Sequence, residues 1–455
     1  MRSRLRLSVM LILALPSFVN AQETQPAESD TTVDARSLLD RVPRSWLTLT
    51  SGKTYNRVEG LPVLLGPSYT GSVRGALVNV SALGILRSAH GFKWDDENVG
   101  HRAILEVQFG ARRGFTVGAT SFDVVAPVER WQLPEPDAGL AAFLVKRDYL
   151  DYYGRHGGRL YFSAFTGGNA RSEIGFSDER WSSRRARDVF TLFHEDDDWR
   201  INPKMDEIRL HVFDAGVAID SRNAELNPWA GWYVDARYER GTGRRTLDPL
   251  VDPRPGSPLS QTRVTYGRAF FDVRKYNRIS PSSQLNARLV VGGWVHGDTL
   301  PLERRLSVGG IGTLPGFDFR VVGLGTDVGQ CSSVALAPEG RPALCDRVSL
   351  AQLEYRQELH STLIDMFNRN GIRIRGTALY VRPAAVVFAD AGRGWLVGSR
   401  DGDLRYPSGS FPSLETFRTD VGVGIDLGMG GLYVAKAVSA SKEPANFFIR
   451  LHNRF

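Results

Sequence analysis

The chain has 455 residues, 24% of them charged and 42% hydrophobic, with 57 Lys and Arg against 50 Asp and Glu. Seven of the basic residues are Lys and the rest Arg, largely interleaved with carboxylates, and no run of them makes a nucleic-acid patch. No stretch beyond Ala21 is long and apolar enough for a membrane helix, so a helical membrane protein is excluded; a β-barrel, whose signal per segment is weak, stays open.

Arg2, Arg4 and Arg6 precede the apolar run Leu7 to Phe18, and small residues follow at Val19-Asn20-Ala21. That pattern predicts a signal peptide over 1–21 and export of the rest. Residues 22–54 are polar at first, and are expected to form a flexible periplasmic leader, too short for a separate domain. Arg36 to Trp46 suits one short amphipathic turn.

From Tyr55 onward the text changes to short segments alternating with a period of two. Leu285, Ala287, Leu289 and Val291 oppose Asn286 and Arg288. Leu353 and Tyr355 oppose Gln352, Glu354 and Arg356. Val421, Val423 and Ile425 oppose Asp420, Gly422 and Asp426. Phe447, Ile449, Leu451 and Phe455 share one parity, with Arg450 and Arg454 on the other. A soluble sandwich alternates too, but its polar face meets bulk water and carries Lys, Thr and Ser. Here that face holds Arg, Asp, Glu, His and Gly, a mixture fit for paired charges in an enclosed interior. The fold expected over 55–455 is therefore all-β, a transmembrane antiparallel β-barrel of about 16 strands, with 12 or 14 also compatible with the length. Long outer loops are expected at Pro127–Phe143, Ser177–Asp206, Thr242–Leu259, Gly312–Arg347 and Gly398–Thr416.

Within the loop region, Arg305 leads through Ser307-Val308 to Gly309-Gly310, Gly312 and the hook Pro315-Gly316-Phe317, with Arg320 beyond. Glycines of this density let a loop lie close against a wall. Cys331 and Cys345 are the only cysteines and, in an exported chain, predict a disulfide that would stabilise by about 3 kcal/mol.

Taken together, several segments resemble the BamA/TamA-type outer-membrane barrels, often called bacterial surface antigens. Arg305 to Phe317 resembles their sixth outer loop, R-x-x-x-G-G followed by Arg-Gly-Phe/Tyr. Leu353-Glu354-Tyr355-Arg356 and Phe388-Ala389-Asp390-Ala391-Gly392 are similar to two strands that follow it. Asp220-Ser221-Arg222 with Asn227-Pro228-Trp229-Ala230-Gly231 resembles an earlier strand and turn. The final strand, Asn446 to Phe455, resembles an outer-membrane insertion signal. The resemblance implies that the sixth loop folds into the lumen and docks an arginine on the glutamate and aspartate of those two strands. That arginine is Pro315 here, so Glu354 and Asp390 need another cation, for which Arg356 and Arg320 are the candidates. The resemblance also implies periplasmic polypeptide-transport-associated domains, for which 22–54 has no room.

No catalytic constellation stands out. His194-Glu195-Asp196-Asp197-Asp198 reads as a solvated loop before a cation site, and Asp148, Asp151 and their neighbouring tyrosines as a loop base or aromatic belt. No cofactor or metal motif is present, and the chain is not expected to be an enzyme; a lipid hydrolase would need an exposed Ser/His pair that His156, His211 and His360 do not obviously provide. The function expected is protein insertion or translocation at the outer membrane of a Gram-negative cell, through a weak seam between first and last strands. The partners expected are outer-membrane lipids, client outer-membrane or secreted proteins, and a separate periplasmic protein. A plugged pore or a structural barrel is the alternative.

Overall fold

The computed structural model describes residues 47–50, 54–91, 97–194, 196–224, 227–247, 262–320, 342–359, 373–374, 377–378, 383–398, 407–428, 430–440, 443–451 and 454–455. The signal peptide, most of the leader and Cys331 lie outside them. The strands are β1 (Leu47–Thr50), β2 (Pro62–Val73), β3 (Ala76–Arg87), β4 (Val99–Phe109), β5 (Arg113–Pro127) and β6 (Tyr152–Thr166). They continue with β7 (Ala170–Ser183), β8 (Glu207–Asp220), β9 (Gly231–Leu247), β10 (Thr262–Ser280), β11 (Ser283–Gly297) and β12 (Arg347–Glu358). The two-residue pair β13 (Arg373–Ile374) and β14 (Thr377–Ala378) follows, then β15 (Ala384–Trp395), β16 (Arg418–Asp426), β17 (Gly431–Ala437) and β18 (Asn446–Arg450). All but β13 and β14 form one 16-stranded sheet in sequence order, antiparallel throughout.

The two faces of this sheet invert the arrangement of a soluble protein. Leu65, Leu160, Ile174, Phe213, Leu289, Val387, Val423 and Ile449 are exposed on one face, while Asp272, Arg288, Gln352, Glu354, Asp390 and Asp420 are buried on the other. Apolar side chains facing outward and charged ones facing inward are what a bilayer and a polar lumen select. One end of the sheet has tight turns, such as Arg74-Gly75 between β2 and β3, where both residues take positive φ (51° and 82°) as a hairpin twist requires. The other end carries the long connections, of which the sixth joins β11 to β12 over 298–346. Long connections mark the outer side of such a barrel.

Three expectations need correcting. Leu47–Thr50, assigned to the leader, pairs with Leu64 to Pro67 of β2; four residues are too few to show a period. Strands run past the expected loop starts: β7 reaches Ser183 and β9 reaches Leu247, because pairing continues beyond the apolar band into polar text that reads as loop. The expected loop Pro127–Phe143 contains most of helix α1 (Glu135–Val145), introduced by Pro134 and Pro136. Its buried face mixes Asp137, Ala138, Gly139, Ala142 and Phe143, so no amphipathic stripe announces it.

Candidate functional site

The site grows from the stem of the sixth connection. Arg305 donates to the carbonyls of Leu300 (3.1 Å) and Leu344 (3.0 Å), tying the two arms together. Leu306 and Cys345 exchange backbone hydrogen bonds just above it. Gly309 and Gly310 then turn with φ of 103° and 99°, angles that L side chains rarely adopt. The Gly309 amide donates to Thr313 Oγ1 (2.8 Å), and the Arg320 amide returns to the Gly309 carbonyl (3.3 Å). Residues 309–320 are therefore a closed loop with the hook at its tip.

The hook presses on the inward face of the strands. The Gly316 amide donates to Asp420 Oδ2 of β16 (2.6 Å). A Cβ at Gly316 would lie 2.6 Å from Asp420 Cβ and 2.7 Å from the Ala437 nitrogen, so only glycine fits. Phe317 is fully buried in one apolar cluster with Leu302, Leu314, Val348, Leu350 and Ala437. Gln352 of β12 donates to the Thr313 carbonyl (3.0 Å), and Asn446 of β18 to that of Pro315 (3.1 Å). On the opposite wall, Arg304 stacks over Trp181 of β7 (4.1 Å) and bonds Glu239 of β9 (2.8 Å). Partners on β7, β9, β12, β16 and β18 mean that the sheet curls around this segment.

The expected partners of Glu354 and Asp390 divide differently from the sequence reading. Arg356 lies 3.4 Å from Glu354 and 2.9 Å from Asp426, and Asn286 also donates to Glu354 (3.2 Å). Asp390 pairs instead with Arg454, whose guanidinium also lies over the Phe388 ring. Arg320 reaches neither: it bonds Glu129 (3.0 Å), Asp151 and Ser307 Oγ (3.2 Å). Asp390 thus takes its cation from beyond the last strand, a pairing that loop text alone gives no sign of.

That placement also corrects the terminal pattern. Phe447 and Ile449 face outward, at 80% and 62% exposure. Beyond Arg450 the chain leaves the ladder: the Leu451 amide donates to Asp137 of α1 (2.6 Å), leaving Leu451 half-buried, and Phe455 is buried with its ring near Tyr276. Arg450 and Arg454 find their carboxylates, Asp137 and Asp390, inside the barrel, and two buried guanidinium groups outweigh the gain from exposing one ring to lipid.

A second cluster, missed in the sequence, fastens the loop to its neighbours. Arg57, Arg200 and Arg320 converge on Asp151, at 3.0 Å and 2.7 Å for the first two, and Arg57 also holds Asp148 (3.1 Å). Glu129 accepts from the Ser307 amide (2.6 Å) and hydroxyl (2.7 Å). Burial pushes the Asp151 carboxyl up, yet Arg200, Arg320 and Arg57 together hold it below the usual range. For Glu129 burial prevails over Arg320 and Ser307, and the pKa is raised. Burial, with the Arg57 charge, pushes Arg200 down to about 10. The one signal available was the pair Asp148 and Asp151 beside tyrosines. Among the described residues no group of three His, Cys, Asp or Glu could hold a metal, and no cysteine is free.

A family model described as the Omp85 superfamily domain matches residues 206–433, which include both arms of the loop and its partners on β9, β12 and β16. Among solved structures, BamA from Haemophilus ducreyi lacking POTRA domains 1-3 is 13% identical, with a TM-score of 0.49 over 95% of this chain and 80% of that one. CdiB from Acinetobacter baumannii (11%, TM-score 0.34) and CdiB from Escherichia coli (12%, 0.38) match 87% and 90% of this chain, which spans 56% and 63% of theirs. The protein named Flagellar FliJ protein in two strains of Caulobacter vibrioides is 30% identical over 106 residues, 23% of this chain and 76% of that protein.

Proposed function

Because the chain belongs to the Omp85 superfamily, we propose that it is an outer-membrane barrel that inserts or translocates client proteins through a seam between its first and last strands. One observation carries this reading. β1 has four residues and pairs with β2, β18 has five and pairs with β17, and among the described residues no ladder joins the two. Unpaired strand edges in a membrane template another strand by β-augmentation. The hook, docked on β16 and tethered to β18 through Asn446, braces the wall on the β18 side of that seam. Its residues Arg305, Gly309, Gly310, Gly316 and Phe317 hold the loop, Gln352, Asp420 and Asn446 receive it, and Arg320 ties its end to Glu129 and Asp151. Glu354 with Arg356 and Asp390 with Arg454 pair within the wall. A Cys331–Cys345 disulfide would tighten the stem, since the Leu306–Cys345 bridge already brings the arms together. Client outer-membrane or secreted chains, and a separate periplasmic protein that delivers them, are the partners this reading requires.

The test uses mature protein reconstituted in liposomes with a urea-denatured outer-membrane barrel as client. Assembly of the client should accelerate several-fold over empty liposomes. A photo-crosslinking residue at Ile449 should capture it, and one at Leu160, on a wall remote in strand order from the seam, should not. Absence of both acceleration and capture would remove the insertion reading and leave the plugged or structural barrel, which the filled interior also supports.

A further inference from the structure

The outward face of the sheet holds a row of arginines that neither the hook nor the seam uses. Arg180 of β7 is the direct cross-strand partner of Arg209 on β8, Arg209 of Arg244 on β9, and Arg244 of Arg263 on β10. All four are exposed. On the β6 side the row continues into His156, the partner of Arg180. Like charges placed directly opposite on neighbouring strands repel and cost stability unless anions lie between them. Asp178 bonds Arg209 at 3.1 Å; among the described residues no carboxylate pairs with Arg180, Arg244 or Arg263.

The height of the row says which anion is at hand. Phe176 and Phe213, both exposed, stand four residues from Arg180 and Arg209 on the same outward face, toward the tight-turn end. Four residues of strand span about 13 Å, so the guanidinium groups sit just above the apolar band, at the end that carries the long connections. That is headgroup depth in the outer leaflet. Adjacent strands are about 4.8 Å apart, so four arginines span roughly 14 Å, and each presents a planar fork that matches phosphate oxygens.

We propose that Arg180, Arg209, Arg244 and Arg263 bind the phosphate groups of phosphorylated lipid headgroups in the outer leaflet. β7 to β10 lie midway along the sheet, as far in strand order from β1 and β18 as the fold allows. The row would therefore anchor the wall away from the seam, and its failure would leave the insertion reading untouched.

The experiment places the mature protein in phosphatidylcholine nanodiscs containing a small fraction of diphosphorylated lipid A and counts retained lipids by native mass spectrometry. The wild type should retain lipid A over phosphatidylcholine, and the variant R180Q/R244Q/R263Q should lose about fivefold in retention per arginine removed. The control R74Q/R113Q/R278Q, which removes three exposed arginines at the tight-turn end, should behave as wild type. Millimolar inorganic phosphate should not displace the lipid. Equal retention by the triple variant and wild type overturns the proposal, as does displacement by free phosphate, which would make the row a simple anion site. A shift to a dimeric mass with no change in lipid count also overturns it. Where the triple variant fails to show the mobility shift of a folded barrel on cold SDS gels, R244Q alone serves, with a fivefold loss expected and no loss overturning the proposal.

Discussion

Arg454 and Asp390 are both fully buried, and Asp390 lies directly across the ladder from Asp420, another buried carboxylate. Removing the guanidinium leaves two carboxylates side by side with the Gly316 amide as their remaining donor from the loop. Breaking a buried pair from one side costs about 3–5 kcal/mol, most of it the uncompensated charge. R454A should therefore lower markedly the temperature at which the folded band on SDS gels converts to the boiled mobility. The double variant R454A/D390N should recover most of that loss, because the stranded charge is gone. If D390N gave no rescue, Arg454 would act through packing on Phe388 instead. At this scale the sequence was legible where a residue's role is local: Gly316 and Phe317 announce a close approach. It was silent where the role is a meeting between distant positions. Pro315 signalled that a cation was missing, but nothing local to the loop links position 315 to Arg454.

The short turn Leu302–Arg304 at the loop stem carries an element-level consequence through Glu303. Its carboxylate is completely buried, and burial, with the charge of Asp206 beside it, raises its pKa well above the ordinary value of 4.5. A carboxyl raised in the folded state binds its proton more tightly there, so its contribution is fully present below pH 4.5 and is lost as the pH rises through the raised value. Glu129 has the same sign. Asp151 has the opposite sign, but its contribution is complete above its ordinary 3.8 and is lost only in strong acid, so it adds no slope near neutrality. The unfolding temperature in detergent, followed by tryptophan fluorescence, should fall between pH 5 and pH 9. E303Q should flatten that slope and unfold later than wild type at pH 9. A wild-type transition that rises with pH would contradict the assignment. Elements with a clean period, such as β11, β12 and β16, were readable from alternation alone. β1 was too short to read, and α1 was hidden because its buried residues follow no stripe.

For the whole molecule, the question is what fills the space that a curled sheet of sixteen strands surrounds. Barrels of this size enclose a water-filled channel unless something occupies it. Two segments do so here: the hook loop, held by Phe317 and Arg304, and α1, whose Asp137 holds both the Leu451 amide and Arg450. The inverted faces of the sheet were legible in the sequence, because the parity of greasy and charged residues was consistent. The depth of the filling was not, since it depends on contacts such as Arg288 with the Trp131 carbonyl (2.8 Å), 157 residues apart. The arrangement makes a conductance prediction. In planar bilayers the wild type should show little steady current. Deleting Gly309–Phe317 removes Phe317 from its cluster and the Gly316 contact with Asp420, and should raise the current several-fold. Deletion should also expose a cysteine probe on β12, introduced at Gln352, to a water-soluble thiol reagent. Gln352 is buried on the inward face and bonds the Thr313 carbonyl of the loop. A wild-type barrel that already conducts steadily would mean that the lumen is not plugged, and a deletion that opens neither current nor labelling would mean that α1 and the residues beyond β18 close it without the loop.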